Sequence, residues 1–507
     1  MPRTVLLATI SSVYQDWIPY AVGCLISHCM QNPRIARDYV FLEPEYKHKW
    51  DTPEFNDKLE QADILGLTNY VWNQTANDTI AKRFKAINPQ GVVIYGGPNV
   101  PEGDLGDYKR EWVDHYIDGP GEVKFEKLLD PQSNNDYAIP VPYLDGVFDT
   151  ILEREKNLAV QFETNRGCPY RCTFCDWGGV ARSKISKLDD ARVRETIEYI
   201  LKYQSVKRLE VLDANFGIFE RDLHFVQHIV DHKQRDDMLL TFAGFAKNGS
   251  KWLAEIMNLT MENFNDRMRN IKISLQTLTP GVLETIDRKN IQTEKLLSIM
   301  HELEDVEVNS ELIIGLPGET NATWCDTLFK HPELGFDVAR GYPLYVLPNT
   351  PMAQEDYKQQ HQIKTKKIIL PNQEQFEMIY ECASYDLEEI VDMYMSWWYF
   401  NTFYNFGIDK TVNPATMKLF FDNLDNMPLM KRCVDKARQC LYDIFKPESV
   451  LLLQGASYEY IHKNLGRGRE LIEFKRNIEQ AQQELGLQFQ ILNDERELQS
   501  PFARIKQ

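Results

Sequence analysis

The sequence predicts an α/β protein: a doubly wound, Rossmann-like parallel sheet, then a partial (β/α)6 TIM-like barrel, then a helical C-terminal region. Three observations predict it. Over residues 1–130, short runs rich in Val, Ile, Leu and Tyr alternate with segments of helical length and period. The alternation resumes at 159 and runs to 354 with six strand-like segments, too few for a closed eight-strand barrel. Over 355–507 it stops, and helical periodicity dominates.

In the first region the strand-like runs are 4–10, 39–42, 64–68, 92–95 and 113–117, with helical stretches such as 77–86 between them. Ligands of doubly wound sheets sit beyond the carboxyl ends of the strands. Those ends read Ser11-Ser12, Thr68-Asn69-Tyr70-Val71-Trp72-Asn73, Gly96-Gly97-Pro98-Asn99 and Asp118-Gly119-Pro120-Gly121-Glu122. They are small and polar, as a loop that approaches a ligand requires. Residues 131–158 read as a linker: Pro131, Gln132, Ser133, Asn134 and Asn135 break the period, and Pro140 and Pro142 prevent a helix.

The second region carries strand-like runs at 158–162, 208–212, 239–242, 271–276, 308–314 and 342–347. Val193, Ile197, Ile200 and Leu201 repeat with helical spacing behind Asp189 or Asp190 as N-cap. In the third region, 393–406 holds Tyr394, Trp397, Trp398, Tyr399, Phe400, Phe403 and Tyr404, which reads as core packing. Gly466-Arg467-Gly468 reads as a surface turn.

Composition bounds the function. The chain has 507 residues, 43% hydrophobic and 26% charged, with a formal net charge of −18. So acidic a surface repels phosphate backbones, and no nucleic acid partner is expected. The apolar run 18–26 is too short to span a bilayer, and no signal-peptide pattern precedes it. Nine cysteines, six of them scattered, do not make a secreted disulfide framework, which points to a reducing, cytoplasmic setting.

The chemistry lies in Cys168-Pro169-Tyr170-Arg171-Cys172-Thr173-Phe174-Cys175, which follows the strand ending near Glu163. Thiolates four and three residues apart can wrap one small inorganic core from a single loop. Three thiolates satisfy three irons of a [4Fe-4S] cube and leave the fourth iron open. Zinc bound by the same cysteines with Asp176 is the alternative, but closed zinc sites use separated Cys/His pairs, and no such second pair follows.

A Cys-x-x-x-Cys-x-aromatic-Cys loop after the first strand of a partial barrel resembles the radical S-adenosylmethionine (SAM) superfamily. The resemblance covers about 200 residues of the second region. It implies Cys168, Cys172 and Cys175 as cluster ligands, with Phe174 beside the cofactor. It also implies SAM contacts from Asp213 and Asn215 after the second strand, and from Ser274 and Gln276 at the end of the fourth. Arg288 follows as the cofactor-carboxylate partner. Ile314, Gly315 and Glu319 around the fifth strand, and Leu347 near the sixth, would pack adenine.

A doubly wound domain ahead of such a barrel is similar to the cobalamin-binding subgroup. The resemblance implies corrin-facing loops at Thr68, Asn69, Tyr70, Val71 and Trp72, at Gly96, Gly97 and Pro98, and at Gly119, Gly121 and Glu122. The Asp-x-His-x-x-Gly motif that supplies a cobalt ligand in many cobalamin domains is missing. Asp222-Leu223-His224 begins like it but lies in the second region and ends in Gln227. Unlike the tRNA methylthiotransferases of the superfamily, the first region lacks three further cluster cysteines and has only Cys24 and Cys29.

These resemblances imply a [4Fe-4S] radical SAM enzyme that uses cobalamin to methylate an unactivated carbon of a small molecule or peptide, served by an electron donor such as flavodoxin or ferredoxin. A radical rearrangement, cyclisation or oxidation without methyl transfer is the alternative within enzymes. A metal-stabilised binding protein is the alternative outside them.

Overall fold

The computed structural model describes residues 2–10, 17–47, 49–134, 139–178, 184–244, 250–264, 270–301, 307–369, 375–405, 412–426 and 428–445. Ser11, Ser12, Asn135, Phe406 and the turn Gly466-Arg467-Gly468 lie outside them. By compactness the chain divides into two units: Met1–Met268 with Leu347–Gln354, and Arg269–Val346 with Glu355–Gln507.

Unit 1 opens with a five-stranded parallel sheet: β1 (Arg3–Ala8), β2 (Tyr39–Phe41), β3 (Ile64–Thr68), β4 (Val92–Gly96) and β5 (His115–Ile117). Alternate side chains bury both faces, which is why the strands read as near-continuous apolar runs. Val5, Leu7, Ile64 and Ile94 pack with Val22, Ile26 and Phe125. Leu6, Ala8, Leu65, Leu67, Val93 and Tyr95 pack with Phe55, Ile80 and Phe84 on the other side. The order is β2-β1-β3-β4-β5. It reverses direction between β1 and β3, where a doubly wound sheet leaves its ligand crevice.

A second sheet of unit 1 follows. β6 (Leu158–Phe162) leads into the two-residue β7 (Asn165–Arg166), paired antiparallel with β8 (Ser186–Lys187). The helix Asp190–Leu201 starts at Asp189, whose carboxylate accepts from the Ala191 and Arg192 amides at 3.1 Å. Then come β9 (Val206–Val211), the helix Glu220–His232 and β10 (Leu239–Phe242). The sheet is parallel in the order β10-β9-β6.

Unit 2 carries the parallel sheet β11 (Asn270–Gln276), β12 (Glu307–Ile314) and β13 (Val338–Pro343) in chain order. Among the described residues, the six strands predicted for one open barrel pair as two three-stranded sheets, one in each unit. The last strand starts four residues earlier than its apolar signal. Gly341 is the reason: a Cβ there would lie 2.7 Å from the Trp397 ring of the helix Leu387–Phe400, so the strand gives up a side chain to admit the indole. By Val346 the chain has left the sheet, and that amide donates to the Glu377 carbonyl at 2.8 Å.

The C-terminal region is helical at Leu387–Phe400, Pro414–Asp422 and Pro428–Phe445, but it also contains an antiparallel hairpin, β14 (Lys364–Ile369) with β15 (Gln375–Glu381). Helical periodicity did not signal that hairpin. Tyr399, Phe400, Phe403 and Tyr404 are buried, as core residues should be. Among the described residues no helix is long and apolar enough to cross a membrane.

Candidate cofactor site

The loop that follows β6 is held from beneath. Asp213, just past β9, accepts from the Thr164 amide (2.7 Å) and hydroxyl (2.5 Å) and from the Asn165 amide (3.2 Å) and Nδ2 (2.6 Å). Burial pushes its pKa up to about 7, against the pull of the Thr164 and Asn165 donors. Four donors from the chain itself occupy both carboxylate oxygens. Asp213, expected to receive a cofactor amine or ribose, here fixes the path of the cysteine loop.

Beyond it, Gly167 takes a left-handed φ of 88° and turns the chain into Cys168. Cys168 and Cys172 are buried and Cys175 is half-buried. The Cys175 amide donates to the Cys172 carbonyl at 3.1 Å, closing a tight turn. Phe174 is half-buried within that turn, and Asn215 is buried after β9. The segment Leu347–Gln354 braces the loop: the buried Met352 donates its amide to the Thr173 carbonyl at 3.0 Å. Three cysteine sulfurs on one short, internally bonded loop are the donor set that an iron–sulfur cube takes, and they fit that group.

Beside this loop, wholly within unit 1, lies a cleft of about 930 Å³. Its walls are the strand-end turns of the five-stranded sheet, the start of the helix Tyr20–Met30, and Asp176 and Trp177 just past Cys175. Thr68, Tyr70, Trp72, Gly96, Gly97, Pro98, Gly119, Gly121 and Glu122 all line it. Tyr70 and Trp72 stack at 4.5 Å and 9°, forming a flat aromatic shelf, and Trp72 is exposed. Gly97 has φ 98°, and a Cβ there would meet the Asn69 carbonyl at 2.7 Å, so only glycine lets the β4 turn come this close.

Two of the predicted cleft residues do something else. Asn69 is fully buried; its amide donates to the Gly96 carbonyl at 2.6 Å, and its Oδ1 accepts from Asn77 Nδ2 at 3.0 Å. It welds the β3 and β4 turns together. Val71 is half-buried and does not line the cleft. The cleft has the size, the apolar shelf and the glycine-cleared floor that fit a large planar cofactor.

Residue-by-residue reading missed the charges that join these walls. Arg166, two residues before Cys168, donates through Nη1 to Glu122 Oε1 at 2.6 Å and through Nε to Glu163 Oε2 at 2.7 Å. Burial alone would lower the Arg166 pKa, but the two carboxylates outweigh it and hold the guanidinium charged. Burial pushes Glu163 up, whereas at Glu122 Arg166 and the backbone outweigh burial and bring the pKa down. One guanidinium therefore ties the cysteine loop to the β5 turn. Asn349 makes a second tie, donating through Nδ2 to the Pro98 and Val100 carbonyls at 2.9 and 2.8 Å while its Oδ1 accepts from the Glu102 amide at 2.9 Å. Neither residue carries a local signal, because what it bridges is remote in sequence.

The other predicted SAM residues, Leu347 apart, lie in unit 2. Ser274 donates to Glu311 Oε2 at 2.7 Å, and Gln276 sits at a β-bulge with φ 67°. The buried Arg288 donates through Nη2 to the Ser274 carbonyl and through Nε to Asn290 Oδ1 at 2.9 Å. These bonds hold the end of β11. Ile314 is buried, Gly315 has φ 87°, and Tyr385 donates to the Gly315 carbonyl at 2.6 Å. Glu319 is fully buried and accepts from the Thr277 and Thr279 hydroxyls, both at 2.8 Å; burial raises its pKa. Leu347, in unit 1, is half-buried at the head of the bracing segment.

Residues 162–330 match the Radical SAM superfamily. The chain thus carries a domain of that superfamily. Over 388 residues it is 32% identical to the cobalamin-dependent radical SAM methyltransferase TokK of Streptomyces tokunonensis, covering 69% of this chain and 56% of that protein. A 2-(S-pantetheinyl)-carbapenam-3-carboxylate methyltransferase of Streptantibioticus cattleyicolor is 32% identical over 375 residues, 66% of this chain and 54% of its own length. The chain thus spans a little over half the length of these two relatives. In fold it resembles the cobalamin-dependent S-adenosylmethionine radical enzyme OxsB, solved with aqua-cobalamin and S-adenosylmethionine bound. The TM-score there is 0.55 at 13% identity, over 99% of this chain and 83% of that one.

Proposed function

We propose that this chain is a cobalamin-dependent radical SAM methyltransferase acting on an unactivated carbon of a small molecule or peptide. One observation carries the reading: in unit 1 a single cleft is walled both by the strand-end turns of a doubly wound sheet and by residues adjoining the three-cysteine loop. The relatives' names support the same assignment. When bound, the cluster and S-adenosylmethionine supply a radical that removes hydrogen, and the corrin supplies the methyl group.

The chain's own residues then have definite work. Cys168, Cys172 and Cys175 hold the cluster and leave one corner open. Tyr70 and Trp72 offer a flat apolar face to the corrin, while Gly97, Pro98, Gly119 and Gly121 let the backbone approach its edge. Asn215 and Leu347 of unit 1 are assigned to S-adenosylmethionine, with Asp213 positioning the strand end that carries Asn215. Arg166 and Asn349 keep the two cleft walls at fixed spacing, since proximity is much of what a protein contributes to such chemistry. A cytoplasmic setting and a flavodoxin- or ferredoxin-type electron donor belong to this reading, because the loop needs reduced thiols and the cluster needs electrons.

The test is anaerobic reconstitution of the full chain with iron, sulfide and hydroxocobalamin. Support is a bound corrin by absorption spectrum, about four irons per chain, and 5′-deoxyadenosine formed under reductant. Cluster and 5′-deoxyadenosine without bound corrin would move the assignment to a radical rearrangement or oxidation.

A further inference from the structure

We infer that unit 1 carries a second metal site, for a zinc-class divalent cation, formed by Glu198, His228 and His232 and separate from the cysteine loop. The helix Glu220–His232 places His224, His228 and His232 four residues apart, hence on one face. Glu198, in the last turn of the helix Asp190–Leu201, meets that face: its Oε1 lies 3.0 Å from His228 Nε2. The ligand atoms of Glu198, His228 and His232 all lie within 4.8 Å of one another. Two imidazoles and a carboxylate from two rigid helices form the donor set that zinc uses where it keeps one position open.

Protonation favours ligation as well. His232 Nδ1 lies 2.8 Å from the His228 carbonyl. A carbonyl only accepts, so Nδ1 holds a proton and Nε2 is the nitrogen left for a metal, the arrangement an outer partner imposes on a metal-bound histidine. The two rings stand 4.2 Å apart.

Arg194, one turn before Glu198, adds positive charge and opposes a cation; its guanidinium lies over the Phe225 ring at 5.6 Å. The fourth position falls to water. A bound ion clips together the helices that precede and follow β9, the strand that leads into Asp213 and the cleft wall at Ala214. Its role is thus to stiffen unit 1, with no part in the chemistry at the cysteine loop.

Thiolates also take zinc, so the full-length chain is tested with Cys168, Cys172 and Cys175 all changed to Ala, by equilibrium dialysis against Zn²⁺ and by the visible spectrum of the Co²⁺ form. The expected result is one zinc per chain, a tetrahedral-type Co²⁺ band, and a thermal midpoint raised by zinc. His232→Asn and Glu198→Gln should each weaken binding by more than the roughly tenfold typical of losing an outer partner. Should the cysteine-free chain not fold, zinc content of the cluster-loaded wild type against His232→Asn gives the same comparison. No bound zinc, or zinc unaffected by both substitutions, overturns the site.

Discussion

The two three-stranded sheets are built from the same β/α unit, yet their strand ends are finished differently. In unit 1 the ends of β6 and β9 open onto a cleft, and the charge there is shared: Arg166 reaches from the cysteine loop to Glu122, 44 residues earlier. In unit 2 the strand ends close on themselves. Arg288 turns back to the Ser274 carbonyl, and Glu319 takes two threonine hydroxyls from the β11 turn. A charged residue at a strand end is therefore not a ligand contact by default. Its partners decide whether it faces a cleft or builds the turn.

The comparison can be broken most sharply at the cysteines. Cys172→Ala removes a buried thiol proposed as a cluster ligand, and both iron content and 5′-deoxyadenosine formation should fall to background; unchanged values would end the cluster assignment. Next is Arg166→Ala, which strands Glu122 and Glu163 without their cation. The site is partly open to solvent, so the loss of stability belongs at the low end of the range for broken ion pairs, about 2 kcal/mol by denaturant titration. Arg166→Lys should restore part of it, and corrin affinity should fall more than iron content. Arg288→Ala in unit 2 should lower stability and leave corrin affinity unmoved.

Gly97→Ala places a β-carbon against the Asn69 carbonyl at left-handed φ, and should cost about 1–3 kcal/mol, with a matching drop in corrin binding. The smallest effects are in pH, where the units have opposite signs. Asp213 has its folded pKa raised to about 7, so its contribution to stability is full below the ordinary carboxylate value near 3.9 and is lost as pH rises through 7. His331 in unit 2 is buried and neutral, donating through Nδ1 to the Thr327 carbonyl, with its pKa lowered to about 4. Its contribution is present above the ordinary histidine value near 6.5 and is lost as pH falls through 4. Asp213→Asn should flatten the first dependence in thermal melts and His331→Gln the second; no change in either slope would remove that residue as the source.

Much of the fold was legible because its signals are local. The five strands of the first sheet were predicted at their observed places to within about two residues at either end, since burial of both faces leaves apolar runs bounded by glycine and polar turns. β13 was misplaced because its signal is a glycine, required by Trp397 some fifty residues later. The hairpin of β14 and β15 was missed because Lys364, Lys366 and Lys367 dilute its apolar alternation. Of the predicted corrin-facing residues all but Asn69 and Val71 line the cleft. Asn69 differs because an asparagine after a strand serves equally well as a turn-welding side chain.

By itself the sequence determined the local pieces: a three-thiolate loop whose four- and three-residue spacing is written in the chain, and strand-end turns whose glycines free the backbone. Only the tertiary structure decided which charges meet. Arg166 with Glu122, Asn349 with Pro98, and Glu198 with His228 are pairs made by elements far apart in the chain. No periodicity encodes such a pair; its partners become neighbours only when burial of the apolar faces brings their strands and helices together.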